Sequence, residues 1–277
     1  MPTNDSELRL LFEAAVSDFQ SDARSVADVF GLVRHDTPEW PRYLKTLRAA
    51  ARQAAVLDRE ELRLCDLGGY FGIIAASMNG LGYRGDVVDS YGVLLTDAKH
   101  ADLRRWWAKV GLAVHDIDLQ QPDLRLPFED ESFHLVTLLA VIEHFPNTPR
   151  LVLEEARRIL RPDGLLIVDT PNAGALGTRV GFLLHGEGVW ASASEVYDSE
   201  IPFPGHTRCY SRSELVDVLK WSGFEPVDVA LFDLGPHGAT SLAGRTLYGR
   251  IYPLLARGLP DVRGYIWVSA RRSTTSP

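Results

Sequence analysis

Two different spacings of apolar residues divide the chain. Over residues 6–58 apolar positions recur at three- and four-residue intervals, most clearly from Trp40 to Ala54, which predicts amphipathic helices. From residue 61 onward, short apolar runs alternate with helix-length amphipathic segments. These runs are 62–67, 86–88, 112–114, 133–141, 165–169, 226–232 and 264–270. The alternation predicts an α/β domain with a mostly parallel seven-stranded sheet and helices on both faces.

Two segments fall outside this alternation. We interpret residues 1–58 as an N-terminal helical extension, or cap, that precedes a main domain at 59–277. Residues 172–205 interrupt the main domain with scattered glycines and aromatic residues. A long insertion of this composition is typical of a lid or of a wall of a substrate pocket.

Composition restricts the partners and the compartment of the chain. Its formal net charge of −8 argues against a general nucleic-acid binder, because neutralising phosphates requires a basic surface. Cys65 and Cys209 cannot supply a disulfide framework, and Cys65 lies inside an apolar run, so we expect a reducing, cytoplasmic environment. The N-terminus lacks the features of a signal peptide, and the apolar run at 138–142 is too short to span a bilayer.

The most informative stretch is the turn that follows the first apolar run. Asp66 comes near the end of this run, and Gly68, Gly69 and Gly72 follow it before the start of a helix. Glycine lets a ligand approach the bare backbone, and a helix N-terminus offers N–H groups, so the pattern predicts a nucleotide-type cofactor site. Asp89 closes the next strand at roughly the 20-residue offset expected of an acid that binds a ribose.

The same turn separates two classes of cofactor. A dinucleotide site reads G-x-G-x-x-G, but Tyr70 occupies the place of the second glycine in that pattern. Asp66 would repel a pyrophosphate, whereas it could pair with an ammonium, directly or through water. S-adenosylmethionine (SAM) carries an ammonium, a sulfonium and no phosphate. It therefore fits this turn better than a dinucleotide does.

The segment Asp66–Gly72 resembles the first motif of class I SAM-dependent methyltransferases, D-x-G-x-G-x-G, with Tyr70 in place of the middle glycine. Later segments resemble further motifs of the same family in the same order. They are Asp118–Leu119, Leu126–Phe133, Val141–Phe145, Glu155–Gly164, Thr170–Asn172, His206–Ser211 and Gly223–Phe224. The resemblance covers roughly residues 60–230. It implies a Rossmann-like fold, SAM as the cofactor and S-adenosylhomocysteine (SAH) as the product.

The resemblance also implies roles for single residues. The predicted cofactor-binding residues are Asp66, Gly68, Gly69, Tyr70, Gly72, Asp89, Asp118, Leu119 and Ala140. Asp89 would bind both ribose hydroxyls. Asp118 and Leu119 would hold the adenine, although Asp116 competes with Asp118 for this contact. Tyr70 either covers the cofactor or is a surface aromatic residue.

Catalytic residues are harder to identify, because the sulfonium makes the methyl group electrophilic by itself. His144 follows the buried fourth strand, where it could take a proton from an acceptor hydroxyl or shape the pocket wall. His206 follows the insertion and either faces the acceptor or is a structural loop residue. We predict both as catalytic. Glu143 beside His144 suggests a metal pair, but adjacent side chains point in different directions and no third ligand stands out, so we predict no metal.

Together these observations predict a SAM-dependent methyltransferase that acts on an oxygen of a small molecule, with nitrogen as the second choice. A sugar, a quinone precursor or a secondary metabolite would be the acceptor. The alternatives are a non-catalytic SAM-binding protein and an NAD(P)-dependent oxidoreductase. We expect a monomer or a homodimer, with neither nucleic acid as a partner nor a membrane span.

Overall fold

One sheet organises the residues that the computed structural model describes, which are 4–23, 26, 40–57, 61–92, 97–186, 191, 193–199, 205–233, 252 and 258–274. The strands are β1 (Leu62–Leu67), β2 (Tyr83–Asp89), β3 (Ala113–Asp116), β4 (Phe133–Leu139), β5 (Leu160–Pro171), β6 (Phe224–Phe232) and β7 (Tyr265–Arg272). The helices are α1 (Asp5–Asp22), α2 (Trp40–Leu57), α3 (Ile73–Asn79), α4 (Asp97–Val110), α5 (Arg150–Ile159), α6 (Leu176–His185), α7 (Ala193–Tyr197) and α8 (Arg212–Trp221). Single 3₁₀ turns lie at Ile142–His144 and Pro260–Val262.

The order of the strands places a crevice in the middle of the sheet. The order is β3-β2-β1-β4-β5-β7-β6. Strands β1 to β5 run parallel to one another, and β7 runs antiparallel to β5 and β6. The chain reverses its direction of travel across the sheet between β1 and β4, and open α/β sheets bind ligands at the carboxyl ends of the strands at such a point. The predicted Rossmann-like fold is confirmed.

Two apolar cores fill the two faces of the sheet. Successive side chains of a strand point to opposite faces, so Leu135 of β4 enters one core and Val136 enters the other. The first core is completed by α1 to α4, and the second by α5 and α8. The unbroken apolar sequence of β4 follows from this burial on both faces.

Helices α1 and α2 of the N-terminal segment belong to the first core. The ring of Phe19 in α1 stacks on Phe71, with ring centroids 5.1 Å apart. In α2, Thr46 accepts a hydrogen bond of 2.9 Å from the indole of Trp267, and Gln53 donates one of 2.7 Å to the carbonyl of His134. The two helices are therefore integrated with the sheet, while the domain boundary at residue 58 stays a prediction.

Several predicted strand boundaries are wrong by two or more residues, and the structure explains two of them. The fourth strand was predicted to reach residue 141, but β4 ends at Leu139 because Ala140 adopts a φ of 57° and leaves the extended conformation. The fifth strand was predicted to begin at residue 165, but β5 begins at Leu160, directly after α5. Leu160 pairs with Phe133 and Leu165 pairs with Leu135, so the intervening residues of β5 bulge.

The predicted insertion at 172–205 is described only in part, because residues 187–190, 192 and 200–204 lie outside the described residues. Its described part contains α6 and α7. Asn172, at its start, forms an isolated parallel bridge with Tyr210, just beyond its end. Its function as a lid stays a prediction. Among the described residues, no helix combines the length and the apolarity needed to cross a bilayer.

Replacing Phe19 by Ala should lower the free energy of unfolding by about 3–5 kcal/mol, because it removes a buried ring and leaves a cavity. The ring also packs edge-on against Trp106, with centroids 5.1 Å apart. Urea denaturation measures the change. Leu10→Ala, on the solvent side of the same helix at 63% exposure, is the control and should change stability by less than about 0.5 kcal/mol. Equally small losses in both variants would contradict the packing of α1 into the core.

Candidate active site

The turn after β1 has the backbone conformation that its glycines predict. Gly68 and Gly72 have φ values of 71° and 77°, in the left-handed region that favours glycine. A Cβ added to Gly68 would lie 2.4 Å from Cγ2 of Val141, and one added to Gly69 would lie 2.5 Å from Oδ2 of Asp66. The turn therefore packs too closely against its neighbours to accept a side chain at either position.

Tyr70 adopts a φ of 51° within this turn, a conformation that costs a non-glycine residue about 1–2 kcal/mol. Its N–H donates a hydrogen bond of 2.8 Å to Oδ2 of Asp89, and its carbonyl accepts one from the hydroxyl of Tyr91. Its ring lies 3.9 Å from that of Phe71, measured between centroids. These contacts hold Tyr70 in the place where the family motif has a glycine.

Two adjoining cavities open at the carboxyl ends of β1, β2 and β4. The larger has a volume of about 390 Å³ and is lined by Gly68, Tyr70, Asp89, Ser90, Asp118, Leu119, Gln120, Leu139, Ala140, Val141, His144 and Phe145. The smaller has a volume of about 230 Å³ and is lined by Arg42, Tyr43, Asp66, Gly68, Gly69, Tyr70, Phe71, Ile73, Ile74 and Leu139. Gly68, Tyr70 and Leu139 line both cavities, so we treat the two as one cleft.

The fold brings the predicted cofactor residues to this cleft with one exception. Gly72 lines neither cavity and instead precedes α3 as its N-cap residue. Tyr70 lines the cleft, which favours the covering role over that of a surface aromatic residue. Asp118 lines the larger cavity, whereas Asp116 accepts a hydrogen bond of 2.9 Å from the N–H of Tyr91. The geometry therefore favours Asp118 for the adenine contact.

One buried and one partly buried carboxylate, those of Asp66 and Asp89, give the cleft a negative character. Asp66 accepts a hydrogen bond of 2.6 Å from the hydroxyl of Thr137. Burial raises the pKa of Asp66 to about 6, because it penalises the charged form, and the nearby Asp89 contributes in the same direction. Asp89 accepts backbone N–H bonds from Tyr70 and Ser90, and burial also raises its pKa. A cationic ligand would stabilise the charged form of both groups.

Sequence reasoning missed Arg42, which reaches the smaller cavity from α2. Arg42 is 6% exposed, and its Nη1 donates a hydrogen bond of 2.8 Å to Oδ1 of Asp169. It thus brings a positive charge to the acidic cleft. Arg42, Thr46 and Gln53 are polar residues at helical spacing on the buried face of α2. That spacing is the signal that could have identified Arg42.

Of the two predicted catalytic residues, His144 lines the larger cavity and His206 packs against it from the side of the insertion. The rings of His144 and His206 pack edge to face, with centroids 4.8 Å apart. Nδ1 of His144 lies 3.2 Å from the carbonyl oxygen of Gly205. The pKa of His206 is lowered by burial and by the neighbouring His144. The carbonyl of Glu143 accepts a bond of 2.8 Å from the N–H of Thr207, which ties the loop of His206 to the end of β4.

Glu143 supplies a third potential ligand beside the two histidines. Its carboxylate is fully buried and accepts a hydrogen bond of 3.0 Å from Thr170, and burial raises its pKa to about 7. The ligand atoms of Glu143, His144 and His206 lie within 4.8 Å of one another. Neighbouring ligand atoms of a tetrahedral zinc ion lie about 3.4 Å apart, which is less than this limit. The structure thus supplies the third candidate ligand that the sequence did not identify, and the absence of a metal stays a prediction.

A glycine turn, an acidic residue at the end of β2 and a crevice between β1 and β4 define a nucleoside-cofactor site on a Rossmann-like sheet. A family model described as a methyltransferase domain matches residues 33–229. The chain therefore belongs to the methyltransferase-domain family, as the class I motifs predicted, and SAM is the cofactor of this class.

Known proteins are similar over different parts of the chain. A probable SAM-dependent methyltransferase of Mycobacterium tuberculosis is 36% identical over 119 residues, which are 43% of this chain and 36% of that protein. A ubiquinone biosynthesis O-methyltransferase of Glaesserella parasuis is 29% identical over 115 residues, 41% of this chain and 47% of that protein. The chain thus matches less than half the length of these relatives.

A solved structure shares the fold over nearly the whole chain. It is the 1,6-didemethyltoxoflavin-N1-methyltransferase of Burkholderia thailandensis with bound 1,6-didemethyltoxoflavin and SAH. The TM-score is 0.51 at 17% identity, and the match covers 99% of this chain and 92% of that one. At this level of identity the similarity concerns the fold alone.

Replacing Gly69 by Ala should weaken SAH binding at least about tenfold, or about 1.4 kcal/mol, because the new Cβ displaces the Asp66 carboxylate. Isothermal titration calorimetry measures the dissociation constant. Gly181→Ala in α6 is the matched control, because a Cβ there meets nothing within 4 Å. Wild-type affinity in the Gly69 variant would contradict the close packing of the turn.

Proposed function

We propose that this chain transfers the methyl group of SAM to an oxygen of a small-molecule acceptor, with nitrogen as the second choice. The observation that carries the proposal is that one cavity joins the predicted nucleoside residues Asp89 and Asp118 to His144. A cofactor held at one end would present its methyl group toward the histidine side. Holding donor and acceptor in line can supply several kcal/mol of the rate enhancement.

The chain's own residues fit the parts of SAM in turn. Asp89 accepts from the ribose hydroxyls, and Asp118 with Leu119 holds the adenine. Asp66 faces the smaller cavity, where its negative charge stabilises the ammonium of the methionine end. Gly68 and Gly69 leave room for the cofactor to approach the backbone. When bound, SAM supplies the electrophilic methyl group.

On the acceptor side, His144 and His206 remove or relay the proton that the acceptor loses. A carbonyl oxygen can only accept a hydrogen bond, so the contact with Gly205 favours the tautomer of His144 with its proton on Nδ1. Nε2 is then the nitrogen that can accept a proton. His206 packs against this ring and restricts its orientation. This arrangement favours catalysis over a non-catalytic SAM-binding role.

The acceptor is a sugar, a quinone precursor or a secondary metabolite. The similarity to a protein named for ubiquinone biosynthesis supports an oxygen acceptor, and the fold shared with an N1-methyltransferase keeps nitrogen as the second choice. The N-terminal helices and the insertion at 172–205 enclose the acceptor. A cytoplasmic location, a monomeric or homodimeric state and the lack of a nucleic-acid partner belong to the same proposal.

His144→Asn and His206→Asn should each lower kcat by about 10²–10⁴ while SAH binding stays within about twofold, because the histidines act on the acceptor proton. SAH formation is measured with a panel of phenols, sugars and amines. His115→Asn is the control and should keep wild-type turnover. His115 lies on β3, where its Nε2 is 2.9 Å from Oδ1 of Asp86 on β2. Wild-type turnover in both cleft variants would remove the catalytic assignment. If no panel member is methylated by a wild-type chain that binds SAH, the non-catalytic alternative gains support.

SAM affinity should rise with pH and level off above about pH 6. The pKa of Asp66 is about 6 without the cofactor, and a bound cation lowers it, so SAM binding at lower pH must release a proton. Calorimetry from about pH 5 to about pH 8, in buffers that differ in ionisation enthalpy, measures both the affinity and the released proton. Asp66→Asn should weaken binding and flatten the pH dependence, and Asp89 adds a change of the same sign. Constant affinity over this range would argue against a charged Asp66 in the complex.

A further inference from the structure

A buried ion pair joins the N-terminal helix α2 to the end of β5. Nη1 of Arg42 lies 2.8 Å from Oδ1 of Asp169, and their side chains are 7% and 0% exposed. Removing two charges from water costs several kcal/mol per ion, so a buried pair is weak evidence for a purely stabilising role. The contacts of Asp169 with the turn after β4 indicate a further role for the pair.

Asp169 binds the first residue after β4. The N–H of Ala140 donates to the carbonyl oxygen of Asp169 at 3.0 Å and to its Oδ1 at 2.8 Å. Ala140 has a φ of 57°, which costs a residue with a Cβ about 1–2 kcal/mol. Such a conformation persists only when the surrounding structure imposes it. Oδ1 of Asp169, which also contacts Arg42, is one of the two oxygens that impose it.

The turn that begins at Ala140 contacts the glycine turn after β1 and also carries His144. Val141 packs against Gly68 so closely that a Cβ on that glycine would lie 2.4 Å from Cγ2 of Val141. The carbonyl of Val141 accepts a hydrogen bond of 3.0 Å from the N–H of His144. A change in the backbone of Ala140 would therefore move the glycine turn and the histidine together.

We propose that Asp169 and Arg42 are positioning residues that hold the turn from Ala140 to His144 against the glycine turn and so fix the cofactor relative to the acceptor side. The part that concerns the acceptor side rests on the proposed function. Arg42 acts through Asp169: it neutralises the buried carboxylate and keeps Oδ1 directed at Ala140. Helix α2 is thereby required for cofactor binding.

A double-mutant cycle on the full chain tests the proposal, with SAH affinity by calorimetry as the measurement. Asp169→Asn keeps the size of the side chain and an acceptor oxygen but removes the charge, and Arg42→Met removes the cation. Each should weaken SAH binding at least tenfold, and the double variant should be no weaker than the weaker single variant, because both act through one contact. Lys45→Met is the control on the same helix, since Lys45 pairs with Asp228 at 2.6 Å near the surface. It should change the affinity less than twofold.

Two results would overturn the proposal. Wild-type SAH affinity in Asp169→Asn would show that the pair does not hold the turn. Additive losses in the double variant would show that Arg42 contacts the cofactor on its own account. SAH binding needs no acceptor, so a normal cycle in a chain without detectable turnover would contradict the proposed reaction and leave the positioning role intact.

Ala140 supplies a second test if Asp169→Asn fails to fold. With the ion pair intact, Ala140→Gly should bind SAH within twofold of the wild type, because glycine adopts a φ of 57° without strain. Ala140→Val should weaken binding at least tenfold, because a β-branched residue resists this conformation. In a folded Asp169→Asn background, Ala140→Gly should restore part of the affinity without restoring the melting temperature. Wild-type affinity in Ala140→Val would also overturn the proposal.

Discussion

The arrangement of this molecule depends on the close approach of two turns at the centre of the sheet. The turn after β1 and the turn after β4 meet where Gly68 faces Val141, at a distance that no side chain at position 68 would allow. The reversal of strand order between β1 and β4 creates the crevice, and this contact joins the two turns that border it. Gly68 lines both the larger and the smaller cavity, Val141 lines the larger, and the two cavities also share Tyr70 and Leu139. A displacement of either turn would therefore change the shape of both cavities.

Charge is distributed unevenly around that contact. Asp66, Glu143 and Asp169 are buried near one another, and Arg42 brings one positive charge to them. Because burial raises the pKa of Asp66 and Glu143, proton binding to these carboxyl groups reduces the excess negative charge. Such an environment stabilises a cationic ligand better than a neutral one. SAM carries a sulfonium and SAH does not, so these charges favour the binding of SAM over that of SAH.

The sequence predicts the fold well, and all the predicted cofactor residues except Gly72 line the cleft, because both the elements and the motif are encoded locally. Strand and helix periodicities identify the layers, and Asp66, Gly68 and Asp89 stand at fixed places in a motif. The features that were missed depend on distant contacts. An apolar run cannot show that Ala140 leaves the strand, since the oxygens that hold it belong to Asp169 on the next strand. Helical spacing with Thr46 and Gln53 could have placed Arg42 on the buried face of α2, but its partner lies 127 residues away. Likewise, nothing local to His206 places it beside Glu143 and His144.

Asn172 and Tyr210, on either side of the insertion, meet at one place beside the sheet. The two residues form a bridge, and the N–H of Ala173 donates a hydrogen bond of 2.9 Å to the carbonyl of Tyr210. Because both ends are fixed at the same point, the length and composition of the intervening segment can vary without a change in strand order or in the cofactor half of the cleft. The segment is in this sense an exchangeable module. Under the proposed function, such variation would change the acceptor that related chains select and leave the cofactor-binding side the same.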